Sequence, residues 1–268
     1  MICGRHNSLL HFKNLSEFDN LSHFTSTIVG GVSEGSYATF NLGMYSEDDI
    51  DCVAENRERL ARILNIPEED IIVPHQTHDD KVLIIDDTFL RKTDLEKVQM
   101  LNGVDALITN QRNICIGITT ADCVPVLIYD SEKSILAAVH AGWKGTVSKI
   151  VGKTVIKMIE ALGCTPDDLY IGIGPCISQQ HFEVGDEVVD AFDRADFLLD
   201  DISYRNKETG KAHIDLQKAN KLTLIETGIS EKNIEEATLC TFANSDKFFS
   251  ARRQTIHSGR MLTGGVIR

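Results

Sequence analysis

The sequence contains no apolar run of the eighteen or so residues that a membrane-spanning helix needs. Its opening stretch, MICGRHNSLLHFKNLSEF, breaks its short apolar run with polar residues, so no secretory leader is expected and the cytoplasm is the expected location. It has only five prolines, and no repeat, low-complexity tract or Pro/Ser-rich linker. Nothing marks a boundary, and a single domain over 1–268 is expected. The seven cysteines (Cys3, Cys52, Cys115, Cys123, Cys164, Cys176, Cys240) include no CxxC pair, which argues for a reducing compartment in which most thiols serve as small buried groups. Positive charge is scarce: 27 basic against 40 acidic side chains leave a net charge of −13. Such a surface repels phosphate backbones, so nucleic acid is not expected as a partner. A small anion can still bind where a few basic groups and helix N-termini converge.

A hydrophobic fraction of 42% provides for a sizeable core. Gly- and Ser-rich residues 29–43 read as a loop with short strands. Helical spacing of apolar residues predicts a helix from Val53 to Leu64 and a longer one from about Thr146 to Leu162, closed by Gly163. Further helices are expected at Glu187–Phe192 and, capped by Asp215, at Leu216–Thr227. Strands are expected at Ile71–Val73, Val82–Ile85, Ala106–Thr109, Ile114–Ile118 and Leu169–Ile173, and the segment TLCTFANSDKFFSARR reads as strand, loop, strand. Without strict βαβ alternation, an α+β layered fold is as consistent as a parallel α/β sheet.

The densest chemistry lies in TTADCVPVLIYDSEKSILAAVHAGWKGT, residues 119–146. Two apolar runs, Val124–Ile128 and Ile135–Val139, flank a polar stretch and predict a hairpin. With the turn centred between Ser131 and Glu132, Cys123 and His140 face each other at its open end. A thiol beside an imidazole fits a metal site, a cysteine nucleophile or a structural pair. A zinc site needs a third ligand, for which His78 in PHQTHDDKV is the first candidate and His75 its competitor. Asp122 is a candidate acid/base or a turn residue. Lys144 and the glycines around it offer a place for an anion, and Trp143, the only tryptophan, could stack on a base or pack in the core.

The blocks HQTH (75–78), DALIT (105–109), TADCVPV (120–126), AAVHAGWKGT (137–146), GIGPCI (172–177), FEVGDEV (182–188) and FFSARR…SGRM (248–261) resemble the YfiH/laccase-domain family. GGVSEGSY, FNLG and ENRERL extend the resemblance over nearly the whole chain. It implies a single α/β/β/α sandwich and a zinc site formed by His78, Cys123 and His140. It also implies a purine nucleoside phosphorylase that cleaves adenosine, inosine, guanosine and methylthioadenosine and deaminates adenosine at the same site. Asn41 and Arg57, in FNLG and ENRERL, become candidates for substrate or phosphate contact alongside Asp122 and Lys144. Lys144 stands where the family commonly has arginine, and Asp79 where it has glycine. The family's older name suggests copper and phenol oxidation, but nine histidines without H-x-H pairs do not supply the clusters that four coppers need. A metal-free Cys123–His140 hydrolase is the other alternative. Whether the chain is a monomer or a homodimer is left open.

Overall fold

Every residue of the strand Val124–Asp130 is buried. Side chains alternate across a strand, and here the two faces enter different cores. Val124, Val126 and Ile128 pack with Val151, Val155 and Met158, whereas Leu127 and Tyr129 pack with Phe12, Ile116, Ile118 and Ile267. The strand therefore belongs to a middle layer, covered on both sides. Its sheet runs Ile234–Glu236, Leu169–Ile173, Val124–Asp130, Ile135–Ala141, Ala106–Thr109, Val82–Ile85, antiparallel in the centre and parallel at both edges.

The computed structural model describes residues 1–3 and 8–268, with the backbone alone for Ile2 and Cys3, so the Cys3 thiol lies outside the described residues. The second sheet runs Ile2–Cys3, Leu9–His11, Leu21–Ser26, Met261–Ile267, Cys115–Thr120, Ile71–Ile72. Its outer face is covered by the helix Ile50–Leu64, whose Leu60, Ala61 and Leu64 meet Ile71, Cys115, Leu262 and Val266. Helices Ile150–Leu162 and Leu216–Glu226 cover the far side of the first sheet. The order helix, sheet, sheet, helix is the layering that the resemblance implies. A small antiparallel sheet of Glu183–Val184, Ala212–Ile214 and Ser203–Arg205 flanks it. Among the described residues no helix is long and apolar enough to cross a membrane.

Two expectations are corrected. The helix predicted from Thr146 to Leu162 is two helices, Trp143–Val147 and Ile150–Leu162. Lys149 between them is left-handed at φ 55°, with its ammonium paired to Glu226 and lying over the Phe197 ring. The apolar stripe runs on through the break, so periodicity could not reveal it. The segment from 238 to 253 forms no strands beyond one bridge between Cys176 and Cys240, and ends in the short helix Ala251–Gln254. Arg253 takes over the role of a partner strand, donating to the carbonyl oxygens of Thr241, Phe242 and Phe248. The strands Leu21–Ser26 and Met261–Ile267 escaped notice because both are almost wholly buried and lack polar alternation.

His23 lies between the layers, 3% exposed, and its Nε2 accepts the Phe12 N–H at 2.9 Å. Burial first, and the neighbouring His11 second, push its pKa down to about 3. The unfolded chain, with an ordinary value near 6.5, takes up this proton first. Stability from neutral His23 is therefore complete above about pH 6.5 and falls as acid takes the pH toward 3, by up to roughly 1.4 kcal/mol per pH unit. Urea midpoints should drop between pH 7.5 and pH 5, and the drop should shrink in His23→Gln. An equal drop in both proteins would rule His23 out as its source.

Candidate active site

Cys123 follows the strand Cys115–Thr120 through a tight turn. Asp122 in that turn has φ 88°, a backbone conformation uncommon outside glycine but more often adopted by aspartate than by most residues. It is held by three donors: the Thr241 hydroxyl at 2.6 Å, the Ser250 hydroxyl at 2.9 Å and the Arg252 backbone N–H at 2.7 Å. The buried carboxylate is thus committed to the turn, which favours the turn reading over acid/base catalysis.

The hairpin register differs from the expected one. Val124 pairs with Ala141 and Pro125 with His140, so the turn is centred one residue later than predicted. Asp130 causes this by accepting the backbone N–H groups of Glu132 and Lys133 at 3.0 and 2.7 Å, which places the turn at residues 131–134. Cys123 therefore lies diagonal to His140, not directly opposite. Because the paired positions shift by two residues, both side chains stay on the same face.

His78 arrives from the loop after Ile71–Ile72, with φ 62°. Asp105, fully buried before the strand Ala106–Thr109, fixes this loop by accepting the backbone N–H groups of Thr77, His78 and Asp79 at 2.9–3.2 Å. The same carboxylate accepts from His140 Nδ1 at 2.7 Å, leaving Nε2 of that ring as the ligating nitrogen. The sequence reading missed Asp105, although DALIT was among the quoted blocks. Its role depends on contacts with residues 26–35 positions away, which no local pattern encodes.

One ligand atom from each of His78, Cys123 and His140 lies within 4.8 Å of the others. The three range from exposed through intermediate to buried, so the group opens on one side. The two imidazoles meet edge to face at 4.9 Å. Gly142 makes room for them: a Cβ there would come within 3.1 Å of both Cys123 Sγ and His78 Cδ2. Burial alone would raise the Cys123 thiol, but the adjacent His140 ring and hydrogen bonds from both histidines bring it down to about 6. Burial opposes charge on His140 as well, and Cys123 and Asp105 overcome it, raising this ring to about 9. A thiolate and two imidazoles with a carboxylate behind one ring suit zinc, with one position left open for a ligand.

The group forms part of the wall of a cavity of about 480 Å³. His75 also lines it but stands outside the donor group, its Nδ1 bonded to Asn102 Oδ1 at 2.7 Å and its ring 4.2 Å from Tyr45. Phe182, Arg252 and Arg260 contribute further wall.

Three candidate contacts are relocated. Asn41 is fully buried, donating to Ser46 and Asp48 and accepting from the Gly43 and Arg260 N–H groups, so it shapes the wall without facing the cavity. Arg57 is buried on the inner face of the helix Ile50–Leu64, paired with Glu68 and donating to Ile71 O, and does not line the cavity. Lys144 is exposed, its ammonium 5.7 Å from the Trp143 ring, and also lies outside the lining. Trp143 itself packs against the core. The cavity's basic residues are instead Arg252 and Arg260, from the two ends of the FFSARR…SGRM block.

A layered α/β sandwich with a histidine–cysteine–histidine donor group in the wall of a cavity is the class that fold and site define. Residues 22–268 match the family described as multi-copper polyphenol oxidoreductase laccase, and the chain belongs to this family. It is 44% identical to a purine nucleoside phosphorylase of Bacteroides thetaiotaomicron, over 97% of this chain and 96% of that one. It is 45% identical to adenosine deaminase RL5 of an unknown prokaryotic organism, over 89% and 91%. Among solved structures, Bacillus licheniformis hypothetical protein YfiH matches with TM-score 0.90 and 30% identity over 98% of both chains. YlmD of Geobacillus stearothermophilus matches with TM-score 0.86 and 30% identity over 94% and 93%.

Proposed function

We propose that the chain is a zinc-dependent purine nucleoside phosphorylase, acting on adenosine, inosine, guanosine and methylthioadenosine and also deaminating adenosine, with 1–268 working as one catalytic unit. The observation that carries this reading is the His78, Cys123, His140 donor group opening into a cavity large enough for a nucleoside. The names of the two relatives, phosphorylase and deaminase, support both activities for one site. The six cysteines with described side chains are free thiols, in keeping with a reducing cytoplasmic setting.

His78, Cys123 and His140 would hold the metal, which when bound supplies a Lewis acid beside the substrate. Asp105 fixes the His140 ring and the backbone that presents His78. The Tyr45–His75 pair and Phe182 offer aromatic surface for a purine. In phosphorolysis the C1′–N9 bond breaks, a phosphate oxygen joins C1′, and the base departs with the electron pair and takes a proton.

The copper reading implied by the family's description has less support, because a multi-copper centre needs several donor clusters. Among the described residues a single group of three suitable donors occurs.

Inosine with phosphate should yield hypoxanthine and ribose 1-phosphate, with about one zinc per chain. Omitting phosphate should stop base release and leave conversion of adenosine to inosine. Base release at an equal rate without phosphate would mean a hydrolase. Copper with phenol oxidation would favour the older name.

A further inference from the structure

Arg260 is the less exposed of the two arginines in the cavity wall. It lines the same cavity as Cys123 and His140, is only partly exposed, and has no carboxylate at ion-pair distance among the described residues. In a chain of net charge −13, an unpaired guanidinium inside a cavity is not explained by the surrounding surface. Its position is fixed from two directions. Its backbone N–H donates to Asn41 Oδ1 at 2.8 Å, and its stem lies so close to Gly43 that a Cβ there would stand 2.8 Å from Cγ. Its Nη1 donates to Ser258 O, Ser258 Oγ and Gly259 O, and Nη2 to Ile256 O at 3.2 Å.

Three of these four bonds come from Nη1. The Nε–H has no protein acceptor among the described residues, and Nη2, which has two hydrogens, makes one protein bond. What is left on the charged guanidinium is the Nε–H and one Nη2 hydrogen, donors of the kind that bind an oxyanion. Arg252 adds a second positive charge at the more exposed part of the wall, its guanidinium over the Phe182 ring and its Nη1 donating to His181 O and Glu183 O.

We propose that Arg260 is the oxyanion anchor of this cavity and binds the phosphate that attacks the nucleoside. This rests on the phosphorolytic reading above for the identity of the anion. It gives Asn41 a part as a positioning residue that holds Arg260 through its backbone, where a direct substrate contact had been expected.

Binding of inorganic phosphate is measured by calorimetric titration of the metal-loaded protein, alone and with a non-cleavable inosine analogue, with sulfate as a competing oxyanion. Arg260→Gln should weaken phosphate binding and raise the KM for phosphate by roughly 10- to 100-fold. Zinc content should stay near wild type. Lys207→Gln, which removes an exposed charge outside the cavity lining, should leave phosphate binding unchanged. Wild-type phosphate affinity in Arg260→Gln, or no phosphate binding by the wild type, overturns the proposal. If Arg260→Gln does not fold, Arg260→Lys decides: it keeps the charge but loses the fork, so weaker phosphate binding supports the anchor and unchanged binding overturns it. Phosphate binding that depends on Arg260 without any ribose 1-phosphate would sink the reaction and spare the site. Phosphorolysis indifferent to Arg260 would do the reverse.

Discussion

Cys123→Ala should yield a folded protein that purifies without zinc and turns over at least ~100-fold more slowly, since loss of a ligand should exceed the 10- to 100-fold effect of losing a ligand's own partner. Cys123 is only partly buried in a cavity wall, so the cost to folding should be small, about 1 kcal/mol. His140→Ala and His78→Ala should lose metal and activity in parallel. His75→Ala should keep its metal, because that ring bonds Asn102 and faces Tyr45 outside the donor group. Metal analysis after chelator-free purification, alongside base release, reads all four variants. Full activity in a metal-free wild type would favour the Cys123–His140 nucleophile instead. Metal lost from His75→Ala and kept in His78→Ala would replace the third ligand.

The second large effect is expected at Asp105, which does not line this cavity. Its oxygens accept four hydrogen bonds, Oδ1 from His78 N and His140 Nδ1 and Oδ2 from Thr77 N and Asp79 N. Burial works against its ionisation, yet these donors and the His140 ring hold its carboxyl below the usual range. Asp105→Asn keeps the shape but turns an NH₂ toward N–H donors. Zinc affinity should fall by about 10- to 100-fold. Folding should lose roughly 1–3 kcal/mol, the usual cost of leaving a buried donor without its acceptor. Competition with a chelator and urea unfolding measure the two separately. If both stay at wild-type values, the contacts of Asp105 contribute nothing to the centre.

The apolar periodicity of the sequence was enough to locate the helices Ile50–Leu64 and Leu216–Glu226 within a few residues, because each buries one face and ends at a local signal. Asp215 caps the second through the Lys218 N–H, as its position suggested. The hairpin was legible too, and with it the proximity of Cys123 and His140. The register was missed by one residue of turn, since the choice lies with the Asp130 carboxylate, yet the side-chain period of two kept the pair on one face.

Other features depend on groups far apart in the chain. Asp105 joining His78 to His140, Asp122 held by Thr241 and Ser250, and Arg260 brought beside Gly43 all span long sequence separations. Arg57 and Lys144 looked like anion ligands from sequence because both are basic and lie in informative blocks, but packing turns one to the buried face of its own helix and the other to solvent. Residue type and period determine which faces are buried and which donor types are at hand. Which donors meet, and which charge is left without a partner inside the cavity, is decided when the two sheets close on each other.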